Sequence, residues 1–150
     1  MIVWQIKPFQ DLTPDELYAI LLLRSAIFVV EQQCVFLDMD NKDQQCLHLM
    51  GFRNDELVAY TRLVPPGVSY EYPSIGRVVT ASGERGKGTG KELMKKSILE
   101  IQKLYGNTPI RIGAQVYLLN FYQGLGFQPS GEVYDEDGID HIEMTLPPVS

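Results

Sequence analysis

Cysteine is scarce in this chain: Cys34 and Cys46 are its two thiols among 150 residues. Two cysteines cannot build a disulfide scaffold. No second close-spaced ligand pair accompanies Cys46 and His48, so no metal is expected. Asp38, Asp40 and Asp43 lack the glycine and terminal glutamate of a calcium loop. Long apolar runs are also missing. The longest, around Ala19 to Leu23, is interrupted by Arg24 and falls well short of the roughly 20 residues that cross a bilayer. The N-terminus, Met1-Ile2-Val3-Trp4-Gln5, has no basic region, apolar stretch or small-residue cleavage site. A cytoplasmic protein without membrane attachment is the expectation. Positive charge is in deficit, with 13 Lys and Arg against 19 Asp and Glu, a net charge of -6. That balance argues against a nucleic-acid binder, which needs a basic face, and is compatible with a cationic acceptor such as an amine. With no internal repeat or low-complexity segment, one domain over residues 1–150 is expected, long enough for one core.

What the chain does contain is strongly patterned. Thr13-Pro14-Asp15-Glu16 reads as a helix start, with Thr13 as N-cap, Pro14 in the first turn and Glu16 closing a capping box. Leu17, Ile20, Leu21, Arg24 and Phe28 continue at helical spacing, so the helix is expected to run to about Phe28. A polar, acidic loop covers Gln32 to Gln45. Cys46 to Arg53 and Leu57 to Val64 read as an antiparallel hairpin around Asn54-Asp55. A strand follows at Ile75 to Thr80. Leu93, Met94, Ser97, Ile98, Ile101, Leu104 and Tyr105 then form a helical stripe closed by Gly106, with Glu92 and Lys96 expected to pair. Ile110 to Ala114 is a short strand and Leu119 to Leu125 a short helix. Val133-Tyr134 and His141 to Leu146 form a last hairpin around Asp137-Gly138. Strand-helix-strand from Ile75 to Ala114 is a parallel crossover with hairpins on both sides. The fold class is therefore α/β or α+β with a mixed sheet.

Between the strand at Ile75 and the second helix stands Glu84-Arg85-Gly86-Lys87-Gly88-Thr89-Gly90-Lys91. Three glycines and three cations before a helix N-terminus suit an anion, because free amides and the helix dipole point at it. The triphosphate loop does not fit: aligned on Gly90-Lys91, it finds Arg85 where glycine is required and Glu92 where the hydroxyl belongs. The dinucleotide fingerprint also fails, since Gly86, Gly88 and Gly90 are spaced two and two.

Arg85-Gly86-Lys87-Gly88-Thr89-Gly90 matches the Arg/Gln-x-x-Gly-x-Gly/Ala turn of the GNAT superfamily of acetyl-coenzyme A-dependent N-acetyltransferases. Asn120-Phe121-Tyr122-Gln123-Gly124-Leu125-Gly126-Phe127 matches the downstream helix and Gly-Phe turn of that family. Arg24, Ile27 to Gln32, Asp38-x-Asp40, His48 and Ala59-Tyr60-Thr61-Arg62 extend the likeness over nearly the whole chain, which resembles the ElaA-like branch. The resemblance implies a mostly antiparallel sheet whose central parallel strands splay apart, with flanking helices.

It also implies roles. Amides from Gly86 to Gly90 would hold the coenzyme A pyrophosphate, with Thr89 opening the helix and Arg85 and Lys87 adding positive field. Val78, Val79 and Thr80 would pair their backbone with the pantetheine arm. Asn120 would hydrogen-bond that arm or cap its helix. Tyr122 occupies the place of the thiolate's proton donor, and Phe121 and Phe127 are core. No glutamate stands on the strand before the turn, where several relatives carry one. The base is therefore open among Glu31, Asp40, His48, Glu71 and a water chain. His48 is the chemically easiest base, and His141 is an equal rival by the same logic. Glu31 and Asp40 are the candidates for drawing in an ammonium acceptor. Transfer from acetyl-CoA to a primary amine of a small molecule or peptide by direct attack follows, since Cys34 and Cys46 lie outside the motif region. The alternative is a non-catalytic coenzyme A sensor or interaction module on the same fold. A monomer and a homodimer are both compatible with the sequence.

Overall fold

The computed structural model describes residues 1–149. Seven strands form one sheet in the order β1-β2-β3-β4-β5-β7-β6. They are β1 (Val3–Pro8), β2 (Leu47–Arg53), β3 (Glu56–Val64), β4 (Ser74–Thr80), β5 (Ile110–Gln115), β6 (Gln128–Glu136) and β7 (Ile139–Leu146). The helices are α1 (Pro14–Arg24), α2 (Thr89–Tyr105) and α3 (Leu119–Gln123). Every adjacent pair is antiparallel except β4 and β5, as the crossover requires. Two hairpins close on turns whose central residues both take positive φ, Asn54-Asp55 and Asp137-Gly138. Their backbone twist matches that of the flanking strands.

The sequence did not mark β1, which lies on the sheet edge against β2. Its six residues carry only a partial burial alternation, so no clean two-residue period identifies it. α1 begins on the expected box: the Glu16 amide donates to Thr13 Oγ1 at 3.1 Å and the Thr13 amide to Glu16 Oε1 at 2.9 Å. Instead of running on as an α-helix to Phe28, the chain widens into a π-helical turn over Ser25–Glu31. Gln32 N–H donates to the Ile27 carbonyl at 3.1 Å and Cys34 N–H to Val29 at 3.0 Å, both five residues back. Glu92 and Lys96 do not pair. Trp4 Nε1 donates to Glu92 at 3.1 Å, and Lys96 sits 3.3 Å from Glu100, because β1 brings the indole over the start of α2.

The helices cover opposite faces of the sheet. Ile20 and Leu23 of α1 pack with Met50, Tyr60 and Val79. Leu93, Met94 and Ile101 of α2 pack on the other face, in clusters that hold Leu49, Ala59, Leu63, Ile75, Ile110, Ile112 and Met144. Alternation along each strand separates the two sets, and each buried large side chain contributes roughly 1.5–3 kcal/mol.

Arg24, expected on the apolar stripe, is fully buried. Its Nε donates to Asp38 Oδ2 at 2.8 Å and its Nη1 to Asp43 Oδ1 at 2.9 Å. Arg62 of β3 donates to Asp40 at 2.7 Å and Asp43 at 3.0 Å, while Arg77 of β4 donates to the Asp38 carbonyl at 2.8 Å. The acidic loop is thus a cross-brace of three arginines and three aspartates, with Arg24, Arg62, Asp38 and Asp43 buried and Arg77 and Asp40 partly exposed. Burial opposes ionisation of Asp40 and Asp43, but the hydrogen bonds and charges of Arg62 and Arg24 outweigh it, holding Asp40 well below its usual range and lowering Asp43. The brace therefore stabilises the fold above the unfolded-state carboxyl pKa near ~3.9 and loses that contribution as pH falls further. Arg24→Ala, which leaves Asp38 to Arg77 alone and Asp43 to Arg62 alone, removes the buried partner the two carboxylates share and is expected to cost about 3–5 kcal/mol in urea unfolding at neutral pH. The same measurement near pH 3 should show a smaller difference.

Candidate active site

β4 and β5 pair at Ser74 and Arg111, where the Arg111 amide donates to the Pro73 carbonyl at 3.1 Å. Beyond that point they diverge, and the cause is local. Tyr60 pairs with Val79 and Arg62 with Gly76, so Thr61 alone opposes Arg77 and Val78. Arg77 takes φ 51°, and this bulge bends β4 away from its parallel neighbour. The opening is a cleft of about 440 Å³ through the sheet. Main chain from Ile75 to Thr80 lines it, yet Val78 and Val79 also send side chains into the core clusters. Core strand and cleft edge coincide there.

At one end of the cleft the Gly-rich turn leads into α2. Gly86 and Gly88 take φ 80° and 75°, with open space where a side chain would project. The amides of Gly86, Gly88, Thr89 and Gly90 have no main-chain acceptor among the described residues, whereas Lys87 N–H bonds the Glu84 carbonyl at 3.3 Å. Buried Glu84 accepts from Arg53 at 3.0 Å and from the Thr89 hydroxyl at 2.7 Å, which fixes the start of α2. Thr89 thus offers its amide and not its hydroxyl. Arg85 lines the cleft and is paired with Glu31, the last residue of the π-helical turn. Lys87 lies 3.9 Å from Glu84.

Tyr122 of α3 lines the same cleft and is 5% exposed, packed edge-on against Phe121 and Phe127. Burial, with Tyr117 nearby, pushes its phenol well above the usual value, and no hydrogen bond relieves it. Asn120 is exposed within α3 and caps nothing; its main-chain carbonyl accepts from Gly124 at 3.0 Å.

The base and acceptor candidates separate. His48 lies in the sheet away from the cleft, with Nδ1 2.6 Å from the Tyr60 hydroxyl and Nε2 2.9 Å from the Asp43 carbonyl. Burial, helped by the charges of Arg24 and Arg62, lowers its pKa despite the Asp43 contacts. With both ring nitrogens engaged it braces the core. Asp40 belongs to the arginine network, Glu31 holds Arg85, and Glu71 is exposed outside the cleft. His141 does line the cleft. Cys34, expected outside the motif region, lines it too, and its thiol donates to the Asp137 carbonyl at 3.0 Å. Cys46 donates to the Lys42 carbonyl, and burial pushes its thiol up to about 11. Gln32, Phe36, Gln115 and Glu136 complete a wall that local patterns did not mark. Gln32 figures in the sequence patterns only as the boundary that ends the Ile27 to Gln32 segment, and the Asp137-Gly138 turn fixes the hairpin that carries Glu136 but not its docking beside β5.

The sheet is thus split at a β-bulge, with an amide-rich turn at the split and a tyrosine lining the same cleft, on an architecture the chain shares with acyltransferases. The chain belongs to the acetyltransferase (GNAT) domain family, which it matches over residues 14–147. It is 44% identical to the protein ElaA of Escherichia coli over 96% of this chain and 95% of that one. The crystal structure of E. coli ElaA superposes with a TM-score of 0.90 at 43% identity, covering 97% and 99% of the two chains. An acyl-CoA N-acyltransferase from Pseudomonas aeruginosa gives 0.92 at 41%, again over 97% and 99%. A GNAT acetyltransferase from Elizabethkingia anophelis, crystallised with acetyl-CoA, shares the fold at 20% identity, with a TM-score of 0.66 over 97% of each chain.

Two stability measurements test these placements. Gly88→Ala forces a side chain into the left-handed region and is expected to cost about 1–2 kcal/mol in urea unfolding. Because the fold lowers the His48 pKa, stability should be full above the unfolded histidine value near ~6.5 and decline as pH drops below it. His48→Gln should flatten that decline between about pH 7 and pH 5.

Proposed function

We propose that this protein transfers an acetyl group from acetyl-CoA to a primary amine by direct attack on the thioester. The observation that carries the reading is the junction of two features at one cleft: unengaged amides of Gly86, Gly88, Thr89 and Gly90 at its end and the unpartnered Tyr122 phenol within it. The turn amides and Arg85 take the pyrophosphate, a doubly anionic group suited to a helix N-terminus. The free edge of β4 at Val78 to Thr80 takes the amide-bearing pantetheine arm as an added strand. The Elizabethkingia protein of the same fold has acetyl-CoA bound, which supports the choice of coenzyme.

The amine must arrive neutral, and its lone pair attacks the thioester carbonyl carbon. As the C–N bond forms, the carbonyl electrons move to oxygen; they return as the C–S bond breaks, leaving a thiolate. Tyr122 donates its proton to that sulfur, and the proton released from nitrogen restores the phenol. A phenol whose ionisation is suppressed by burial is a weak acid. The leaving thiolate in the same dry cleft suffers the same desolvation and holds a proton correspondingly harder. Cys34 lines the cleft, but its thiol is tied to a carbonyl and no acyl-enzyme step is required.

Tyr122→Phe is expected to lower turnover about 100-fold, in the range of general-acid contributions, with acetyl-CoA affinity unchanged by calorimetry. Full turnover in that variant would remove the acid role. A Cys34→Ser/Cys46→Ser double variant should keep direct transfer. Loss of turnover with retained coenzyme binding would instead point to a covalent route. Acetyl-CoA binding without transfer to any amine would favour a sensor on this fold, and failure to bind acetyl-CoA would defeat both.

A further inference from the structure

The cleft opens on both faces of the sheet, and the two openings differ chemically. Tyr122, Phe121 and Gly90 come from the α2 and α3 side. Ile27, Phe28 and Phe36 come from the π-helical turn and the loop after it, on the α1 side. Strand alternation assigns His141 to that second opening. Ile142 and Met144 of β7 face the α2 core, so His141 points the other way, opposite Gln115 of β5 and Tyr134 of β6. Its Nδ1 lies 2.8 Å from the Ile139 carbonyl, which can only accept. Nδ1 therefore carries a proton, and in the neutral ring the lone pair lies on Nε2. Glu136, 58% exposed at the rim, stands 3.3 Å from Nε2.

The charges around this opening are mostly neutralised. The cations lining the cleft are Arg77 and Arg85 among the described residues. Arg77 is bound by Asp38 and Asp40, and Arg85 by Glu31. An acceptor carboxylate would have to draw Arg77 from its aspartates, or share Arg85 with Glu31 and the coenzyme. Asp38, Asp40 and Asp43 are bound by the three arginines, which leaves Glu136 and Asp137 as the carboxylates of the lining. A polycation would find too few counter-charges, while apolar surface is plentiful.

We propose, on the reading of this cleft as an acetyl-CoA site, that the acceptor is a monoamine on an uncharged apolar body, which enters from the π-helical side and gives its ammonium proton to His141. The proton passes from the amine nitrogen to Nε2 and leaves for solvent beside Glu136, so the nitrogen attacks as a neutral lone pair. Ile27, Phe28 and Phe36 enclose the apolar body. Buried histidine beside an exposed carboxylate is otherwise a plain structural pair, and the variants below distinguish the two roles.

The test follows thiol release from acetyl-CoA with 2-phenylethylamine, L-phenylalanine and spermidine. The expected kcat/KM for 2-phenylethylamine exceeds each of the others at least tenfold. Equal or better use of phenylalanine or spermidine overturns the acceptor class. His141→Asn, whose amide can still donate to the Ile139 carbonyl, is expected to lower kcat about 100-fold without changing acetyl-CoA affinity. His141→Ala should regain turnover with added imidazole. Full turnover in His141→Asn, or no rescue of a folded His141→Ala protein, overturns the base role. Acetyl-CoA binding with no acetylation of 2-phenylethylamine overturns this inference and leaves the coenzyme site standing. Absence of acetyl-CoA binding defeats the underlying reading itself.

Discussion

A single extra residue in β4 is the constraint on which the rest of this structure depends. Thr61 opposes both Arg77 and Val78, so β4 must bend at the point where it would otherwise continue its ladder with β5. The bend is held from both faces. On one side the Arg77 guanidinium, at 2.9 Å from Asp38, ties the bulge to the loop after the π-helical turn. On the other side the Thr61 hydroxyl lies 2.8 Å from Ser97, which itself bonds the Leu93 carbonyl in α2. Two unpaired strand edges inside a sheet are unfavourable unless a ligand or side chains use them. The cleft is the space left by that unmade ladder.

The arginine–aspartate brace answers a related problem. The loop from Gln32 to Gln45 has little regular structure, yet it forms one wall of the cleft. Pairing three aspartates with three arginines neutralises the loop and anchors it to α1, β3 and β4 together. Along this loop Cys34, Phe36 and Asp38 turn inward while Val35, Leu37 and Met39 stay exposed. The same network that shapes the wall thus withdraws its charge from any ligand. An acidic chain therefore presents an opening that is largely apolar.

Much of this was legible in local patterns. The capping box at Thr13, the two positive-φ hairpin turns, the crossover helix and its Gly106 stop are short-range features, and the structure contains each of them. The Gly-rich turn belongs to the same class, since glycine at positive φ before a helix is a property of adjacent residues. The limits also follow from range. β1 is half-buried at an edge and has weak periodicity. The π-helical widening over Ser25–Glu31 begins directly after Arg24, which Asp38 and Asp43 hold, and interrupts the helical spacing expected to reach Phe28. His48 and His141 look alike as isolated strand histidines.

By itself, the sequence determined the family, the order of elements from α1 onward and the Gly-rich turn before α2, because each depends on neighbours along the chain. Tertiary structure alone decided which side chains share the cleft. The order β5-β7-β6 brings His141 and Glu136 to the opening, and the loop after α1 delivers Cys34 and Phe36 to the facing wall. It also decided that Asp40 and His48 serve the core, since their partners Arg62 and Tyr60 meet them only across paired strands and the loop folded over them. Charge and imidazole are properties of composition, but their availability to a ligand depends on who else is within hydrogen-bonding distance.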